Sequence, residues 1–206
     1  MVNFREIVER FMRRGLRPIV WILVRLNISP NALSFFGFCV VMISVFLFVM
    51  GSFIAAGVIF LIGSLFDVLD GELARTGHRV TSFGPLLDSI LDRFSEGIVL
   101  IAFAWYFADR GETVGVVITM LGMLGSIATS YVRARAEAIG TTCTVGWVTR
   151  SERVLIIAVG MLSGQIFLAV SILCLVTTLT VIQRVVHVRS LLVQQDKVSS
   201  DKLHDE

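Results

Sequence analysis

Apolar segments long enough to cross a lipid bilayer follow one another along this chain. A hydrocarbon core of ~30 Å requires about 20 helical residues at ~1.5 Å each. Of the 206 residues, 55% are hydrophobic, and the mean hydropathy is +0.84. The fifth apolar segment is short, and we expect it to extend into residues 145–151. The sequence predicts an all-α integral membrane protein with six transmembrane helices, near residues 32–50, 53–74, 83–108, 113–134, 152–164 and 166–187.

Residues 2–17 combine an apolar stripe with a charged, mainly basic face. Apolar side chains recur at i, i+3, i+4, i+7 and i+8 from Phe4 to Met12, and arginines and glutamates occupy the positions between them. This pattern predicts an N-terminal amphipathic helix that lies in the headgroup plane of the membrane. An ordinary soluble helix is the alternative interpretation.

Basic residues predict the orientation of the chain in the membrane. Nearly all of the 18 Lys and Arg residues lie before residue 26, within 75–79, within 133–153 or after residue 183. The positive-inside rule then places both termini in the cytoplasm, which six spans require, so we expect a multi-pass protein of the cytoplasmic membrane.

The domain bounds, the cysteines and the net charge complete the predicted organisation of the chain. We expect a single membrane domain over residues 1–190, followed by a polar, disordered tail over residues 191–206. Three cysteines without metal-ligand spacing are interpreted as small hydrophobic residues. The net charge is +2, and we expect no nucleic-acid partner.

Four aspartates interrupt the second and third apolar segments. Asp67 and Asp70 are spaced i, i+3, and Asp88 and Asp92 are spaced i, i+4, so each pair lies on one helical face. An ionised group inside a membrane helix costs about 2.5–3.5 kcal/mol on insertion scales and normally faces a partner or a wet cavity. Neighbouring carboxylates repel one another unless cations lie between them. Hard oxygen ligands suit Mg²⁺, Mn²⁺ or Ca²⁺, and four carboxylates can hold two ions by bridging.

Glycines accompany both pairs of aspartates. Gly71 follows Asp70, and Gly84 lies one turn before Asp88, so both leave space on the predicted metal-facing side. Each glycine could equally serve helix packing. For the aspartates themselves, the structural alternative is a set of ion pairs with the nearby arginines, Arg75, Arg79 and Arg93.

The stretch DVLDGELARTGHRVTSFGPLLDSILD resembles the signature of the CDP-alcohol phosphotransferase family, D-x-x-D-G-x-x-A-R-x8-G-x3-D-x3-D. The segment SPNALS at 29–34 is similar to the Pro-Asn segment that opens the first span in that family. All fixed positions of the signature are present in this chain: Asp67, Asp70, Gly71, Ala74, Arg75, Gly84, Asp88 and Asp92.

The resemblance implies a metal-dependent transferase that acts on a CDP-linked lipid. It implies that the four aspartates hold two Mg²⁺ or Mn²⁺ ions and that Asp92 is the general base for the acceptor hydroxyl. It also implies a homodimer within the lipid bilayer. The residues that it implies for binding of the donor, CDP-diacylglycerol, are Asn31, Gly71, Ala74, Arg75 and Gly84.

Further arginines follow the fourth apolar segment, in SYVRARAEAIG (130–140), TRSERVL (149–155) and QRVVHVRS (183–190). Several guanidinium groups near one opening would suit an acceptor that carries a phosphate, although positive-inside topology alone also explains them. The pattern resembles the phosphatidylinositol-phosphate synthase branch of the family, which implies inositol 1-phosphate as the phosphorylated polyol acceptor. The acceptor-binding residues implied are Ser130, Arg133, Arg153 and Arg184.

Three other functions remain open from the sequence. A phosphatidylglycerophosphate synthase would use glycerol 3-phosphate, which also carries a phosphate. An archaeal-type inositol phosphate synthase would use an ether-lipid donor, since DGELAR also occurs in such relatives. A divalent-cation transporter would use the aspartates as its pathway, but no acidic residue continues them across the membrane.

Overall fold

The computed structural model describes residues 18–77, 81 and 83–204. Within these residues the regular secondary structure is helical, with no strand. The predicted amphipathic helix at 2–17 lies outside the described residues. The helices are α1 (18–25), α2 (Pro30–Val49), α3 (Phe53–Thr76), α4 (Gly84–Asp109), α5 (Thr113–Ala138), α6 (Arg150–Ser163) and α7 (Ile166–His204).

Four of the described helices are long and apolar enough to cross a membrane: α2, α3, α5 and the part of α7 from Ile166 to Gln195. The other two predicted spans differ from these four. Helix α4 has 26 residues but carries Asp88, Asp92, Arg93 and Glu96 in its first half, and α6 has only 14 residues. Length and composition therefore establish a membrane protein with four candidate spans.

Two boundaries differ from those expected. Residues 145–149 are not helical, because Thr149 and Glu152 form a capping box that begins α6 at Arg150. Residues 191–204 are not a disordered tail but continue α7. Neither glycine nor proline occurs between Ile166 and His204, so nothing in that sequence breaks the helix.

The chain forms two compact units, one up to Ile98 and one from Val99 onward. In the first unit, glycines bring α2 and α3 close together. A Cβ on Gly37 would lie 2.8 Å from the Phe66 Cβ, and a Cβ on Gly63 would lie 2.7 Å from Val41 Cγ2. Beside this contact, one buried cluster joins α1 to both helices through Val20, Leu33, Leu69 and Leu73. The packing of this unit fixes the α3 face that carries the first two aspartates.

The second unit contains the end of α4 together with α5, α6 and α7. Small residues again allow close contact, because a Cβ on Gly125 would overlap the side chain of Thr177, and a Cβ on Gly160 would overlap that of Ala169. Helix α7 therefore packs against both α5 and α6. This packing brings together the three helix segments that carry the predicted acceptor arginines: the end of α5, the start of α6 and the middle of α7.

Candidate active site

Three of the four predicted metal ligands meet in the first unit. Asp67 and Asp70 on α3 and Asp88 on α4 each offer a carboxylate oxygen within 4.8 Å of the others. Ligand oxygens lie about 2.0–2.6 Å from Mg²⁺ or Ca²⁺, so oxygens on opposite sides of one ion are about 4–5 Å apart. The spacing and the hard oxygen donors of this three-carboxylate group therefore fit a divalent cation.

Asp92 is not a member of the three-carboxylate group, whose ligand atoms all lie within 4.8 Å of one another. It follows Asp88 by one turn of α4, and its side chain is half-buried. The group of converging carboxylates does not include it. Helical spacing alone predicted four equivalent ligands. In the structure, three of them converge, and Asp92 is not in their group.

Asp70 is the most buried member of the three-carboxylate group, with 5% of its surface exposed. The Ser34 hydroxyl donates a hydrogen bond to its Oδ2 atom. Ser34 lies in the first turns of α2, which begins at Pro30 after the N-cap residue Ser29. This hydrogen bond ties the SPNALS segment to the predicted metal ligands, and the sequence analysis did not identify Ser34.

Removal of the Ser34 hydroxyl is expected to weaken metal binding. A hydrogen bond to a ligating carboxylate orients it, and loss of such a partner lowers metal affinity by about 10–100-fold. Ser34→Ala should show this fall in Mn²⁺ affinity, measured by electron paramagnetic resonance of free Mn²⁺ without substrates. The matched control is Ser44→Ala, since Ser44 is also on α2, is fully buried, and donates to the Ala56 carbonyl oxygen at 2.8 Å. Equal Mn²⁺ affinity in Ser34→Ala and wild type would contradict the expected role.

The predicted donor-binding residues form two local pairs in the first unit. The Arg75 Nη2 atom lies 3.6 Å from the position of a Cβ on Gly71, so the guanidinium group covers that glycine. The Asn31 Oδ1 atom lies 3.4 Å from the position of a Cβ on Gly84. Ala74 is half-buried on α3, next to Arg75. Both predicted glycines therefore lie beside a predicted polar partner.

Two arginines near the aspartates, Arg75 and Arg93, bond to groups that are not among the four aspartates. Arg75 Nη2 forms an ion pair with Glu72 Oε2 at 2.9 Å. Arg93 Nη1 donates to the Ser89 carbonyl oxygen one turn earlier on α4. Arg79 lies outside the described residues. Each described arginine thus has a partner outside the three-carboxylate group.

Three of the predicted acceptor-binding residues form an arginine cluster in the second unit: Arg133 on α5, Arg153 on α6 and Arg184 on α7. Arg153 and Arg184 are buried, with 4% and 5% of their surfaces exposed. The charges of Arg133 and Arg153 both repel that of Arg184. Burial of neighbouring cations carries a desolvation cost, and an anionic ligand at the cluster would offset it.

Local structure places each arginine of the cluster. Arg133 Nε pairs with Glu137 Oε1 at 2.9 Å on the exposed face of α5. The capping box of Thr149 and Glu152, with the Thr149 N–H donating to Glu152 Oε2 at 2.8 Å, begins α6 just before Arg153. The position of Arg153 therefore follows from a local signal, T-x-x-E, that the sequence already contains.

Thr129 on α5 contacts two arginines of the cluster. Arg153 Nη1 donates to its hydroxyl oxygen at 3.3 Å, and Arg184 Nη1 donates to its carbonyl oxygen. Arg184 Nε also donates to the Val145 carbonyl oxygen at 3.0 Å. The predicted residue Ser130 is half-buried beside Thr129. Thr129 was not predicted as a site residue, because its hydroxyl is one of several along α5 and nothing in the local sequence distinguishes it.

Residues 27–196 match the family model described as CDP-alcohol phosphatidyltransferase. The chain is 34% identical to the archaetidylinositol phosphate synthase of Pyrococcus horikoshii over 175 residues, which are 84% of this chain and 90% of that protein. It is also 34% identical to the phosphatidylinositol phosphate synthase of Mycobacteroides abscessus over 182 residues, 84% of this chain and 83% of the relative.

Solved structures of the Mycobacterium tuberculosis phosphatidylinositol phosphate synthase, which is 30% identical, are similar to this one. The structure with CDP-DAG bound has a TM-score of 0.79 and covers 85% of this chain and 94% of its own. The complex with manganese and citrate has a TM-score of 0.75 and covers 83% of this chain and 87% of its own.

Proposed function

The chain belongs to the CDP-alcohol phosphatidyltransferase family, and we propose that it transfers a phosphatidyl group from CDP-diacylglycerol to inositol 1-phosphate. The products are phosphatidylinositol phosphate and CMP. The arginine cluster carries this proposal, because its buried guanidinium groups suit an acceptor that already bears a phosphate. The names of the relatives support inositol as the polyol.

Asp67, Asp70 and Asp88 hold a divalent cation in this proposal, and Asp92 completes a site for two Mg²⁺ or Mn²⁺ ions. When bound, such ions neutralise the pyrophosphate of the donor and stabilise the departing phosphate oxygen. The 4.8 Å spacing of the three carboxylates and the manganese complex of the mycobacterial structure support this assignment.

The donor residues would bind CDP-diacylglycerol at the first unit. Arg75 contacts a donor phosphate, and the CMP portion lies close to the helix backbones at Gly71 and Gly84, where no side chain intervenes. Ala74 and Asn31 complete the binding surface. The mycobacterial structure with CDP-DAG bound supports this choice of donor.

Asp92 would act as the general base. It takes the proton from the acceptor hydroxyl while that oxygen forms a bond to the phosphorus that bears the lipid. The bond between this phosphorus and the bridging oxygen breaks, and CMP leaves with the electron pair. The position of Asp92 outside the three-carboxylate group supports this role, because its charge is not required to neutralise the cation that those three carboxylates hold.

The membrane arrangement that we propose has six spans, which include α4 and α6, in one domain over residues 1–190. Both termini lie in the cytoplasm, and residues 2–17 form a helix at the membrane surface. The distribution of Lys and Arg supports this orientation. The enzyme is proposed to act as a homodimer.

An acceptor panel tests the proposed function. Purified enzyme with Mn²⁺ and CDP-diacylglycerol receives inositol 1-phosphate, glycerol 3-phosphate, inositol or serine, and CMP release is measured. We expect CMP release with inositol 1-phosphate and a phosphatidylinositol phosphate product in mass spectrometry. Release with glycerol 3-phosphate alone would instead establish a phosphatidylglycerophosphate synthase. No release with any acceptor would overturn the proposal.

An ether-lipid donor is the second candidate, because one relative is an archaetidylinositol phosphate synthase. The same panel is therefore repeated with the dialkyl-ether form of the CDP-lipid. A kcat/KM at least about tenfold higher with the ether donor would assign the archaeal-type reaction. We expect the higher kcat/KM with the diacyl donor.

Arg153→Ala is expected to raise the KM for inositol 1-phosphate by about 10–100-fold, since hydrogen bonds to charged groups contribute about 1.5–3 kcal/mol. The KM for CDP-diacylglycerol should stay unchanged. Steady-state kinetics with each substrate varied in turn separates the two constants. Arg135→Ala is the matched control, because Arg135 is an exposed arginine of α5 outside the cluster. An equal rise in both KM values would exclude Arg153 from the acceptor site.

A further inference from the structure

Thr129 is fully buried on α5, and two of its atoms meet arginines from other helices. Its hydroxyl donates to the Ser126 carbonyl oxygen at 2.8 Å and accepts from Arg153 Nη1 at 3.3 Å. A hydroxyl has one hydrogen and two lone pairs, so both bonds can form together. The donated bond fixes the hydroxyl rotamer, so its lone pairs have a fixed direction.

The Thr129 carbonyl oxygen makes the second connection. It accepts from Arg184 Nη1, although Thr129 and Arg184 are 55 residues apart in the chain. In a regular α-helix this carbonyl also accepts from the N–H of the residue four positions later, which is Arg133. A carbonyl oxygen has two lone pairs and can accept both. Thr129 thus bonds to the side chains of two arginines of the cluster, Arg153 and Arg184.

Guanidinium groups on long side chains need such fixing. A free arginine side chain loses rotamer entropy when it is ordered, and Arg133 and Arg153 both repel Arg184. Without its bond to the Thr129 hydroxyl, the Arg153 side chain would be less well ordered and the two arginines would bind a phosphate less well. A site that is arranged before the ligand arrives avoids this ordering cost at binding.

We propose that Thr129 is a positioning residue that holds Arg153 and Arg184 for the phosphate of the acceptor, an inference that rests on the proposed function. Its hydroxyl orients Arg153, and its carbonyl oxygen orients Arg184. Thr129 does not touch the acceptor, and its effect on catalysis passes through the arginines. The ligand that the two arginines bind is a phosphate monoester. Free inorganic phosphate carries the same charged oxygens, so its binding can be measured without turnover.

Thr129→Val tests the part of this role that the hydroxyl plays toward Arg153, because valine keeps the shape and the backbone carbonyl oxygen and removes only the hydroxyl. We expect the KM for inositol 1-phosphate and the Kd for inorganic phosphate, measured by ³¹P NMR titration, to rise about tenfold. The KM for CDP-diacylglycerol should not change. Thr129→Ser restores the hydroxyl and should return both constants to near the wild-type values.

Thr119→Val is the matched control. Thr119 is also buried on α5, and its hydroxyl donates to the Gly115 carbonyl oxygen at 2.7 Å. It lies ten residues before Thr129, about 15 Å along the helix. This variant loses the same kind of local hydrogen bond, so its phosphate affinity should match wild type. An equal loss of phosphate affinity in Thr119→Val would overturn the proposal, because the effect would then be a general consequence of losing a buried hydroxyl.

A double-mutant cycle identifies the route of the effect. In an Arg153→Ala background, Thr129→Val should change the Kd for phosphate by less than about twofold, since its partner is already absent. A full tenfold change in that background would overturn the role through Arg153. Unchanged phosphate affinity in Thr129→Val alone would do the same.

The phosphate titration separates this inference from the proposed function. If the wild type used only a polyol without phosphate, the proposed function would fail. A tenfold weaker phosphate affinity in Thr129→Val would still support the positioning role. If the wild type bound no inorganic phosphate but used inositol 1-phosphate normally, the KM for inositol 1-phosphate would be the test. A tenfold rise of this KM in Thr129→Val would support the positioning role, and an unchanged KM would overturn it.

Discussion

Asp70→Asn is expected to lower kcat by about 10³-fold or more. Asp70 is 5% exposed, belongs to the three-carboxylate group and is hydrogen-bonded by Ser34. An amide removes one negative charge from the group, and metal-ion catalysis contributes several kcal/mol to such reactions. CMP release from CDP-diacylglycerol measures the loss of turnover, and Mn²⁺ titration should show a parallel loss of affinity.

Asp109→Asn is the matched control for this experiment. Asp109 is an exposed acid at the end of α4 and lies outside the three-carboxylate group. Its amide variant should keep the wild-type rate and Mn²⁺ affinity. Thermal unfolding of both variants in detergent checks that the fold is retained. A rate for Asp70→Asn within about tenfold of wild type would contradict the metal assignment.

Asp92→Asn is expected to lose turnover while it retains Mn²⁺ at the three-carboxylate group. A positioned general base contributes about 10²–10⁴-fold, so kcat should fall by that factor. The group of Asp67, Asp70 and Asp88 converges without Asp92, and its Mn²⁺ affinity should therefore change much less than in Asp70→Asn. Single-turnover CMP release and Mn²⁺ titration give the two quantities.

The comparison of kcat and Mn²⁺ affinity between Asp70→Asn and Asp92→Asn tests the role of Asp92. A kcat near the wild-type value in Asp92→Asn would exclude Asp92 as the base. A loss of Mn²⁺ affinity as large as that of Asp70→Asn would make Asp92 an equal member of the metal site and would leave the base to another residue.

The convergence of aspartates from α3 and α4 could be predicted from the sequence because these residues follow helical periodicity. The spacing of Asp67 and Asp70 places them on one face of a helix, and close packing of neighbouring helices in a membrane leaves few places for charged groups. What the spacing did not resolve is the separation of Asp92 from the other three. Asp88 and Asp92 share one face of α4 but lie about 6 Å apart along its axis. Which of them joins the group therefore depends on where α4 lies along α3, and periodicity does not determine that.

The residues that support the site were not predictable in the same way. Ser34 meets Asp70 across 36 residues, and Thr129 meets Arg153 across 24. A serine or threonine in an apolar helix usually bonds to its own helix backbone, as Thr119 and Ser171 do here. Local sequence therefore cannot distinguish a hydroxyl that supports a site from one that only satisfies itself.

At two helix boundaries, the local backbone signal and the overall composition or span length favoured different structures. The T-x-x-E capping box at Thr149 was present in the sequence and fixes the start of α6, but the shortness of that span favoured an earlier start. The polar composition after residue 190 favoured disorder, although no helix breaker separates it from α7. In both cases the local backbone signal was more informative than composition.

The most direct test of the central claim is the metal dependence of CMP release by the purified enzyme. With CDP-diacylglycerol and inositol 1-phosphate present, we expect no CMP after treatment with a chelator and full recovery on addition of Mn²⁺. Asp70→Asn should show no recovery at the same Mn²⁺ concentration. CMP release that continued at the wild-type rate in the chelator would contradict the assignment of the three-carboxylate group as a catalytic metal site.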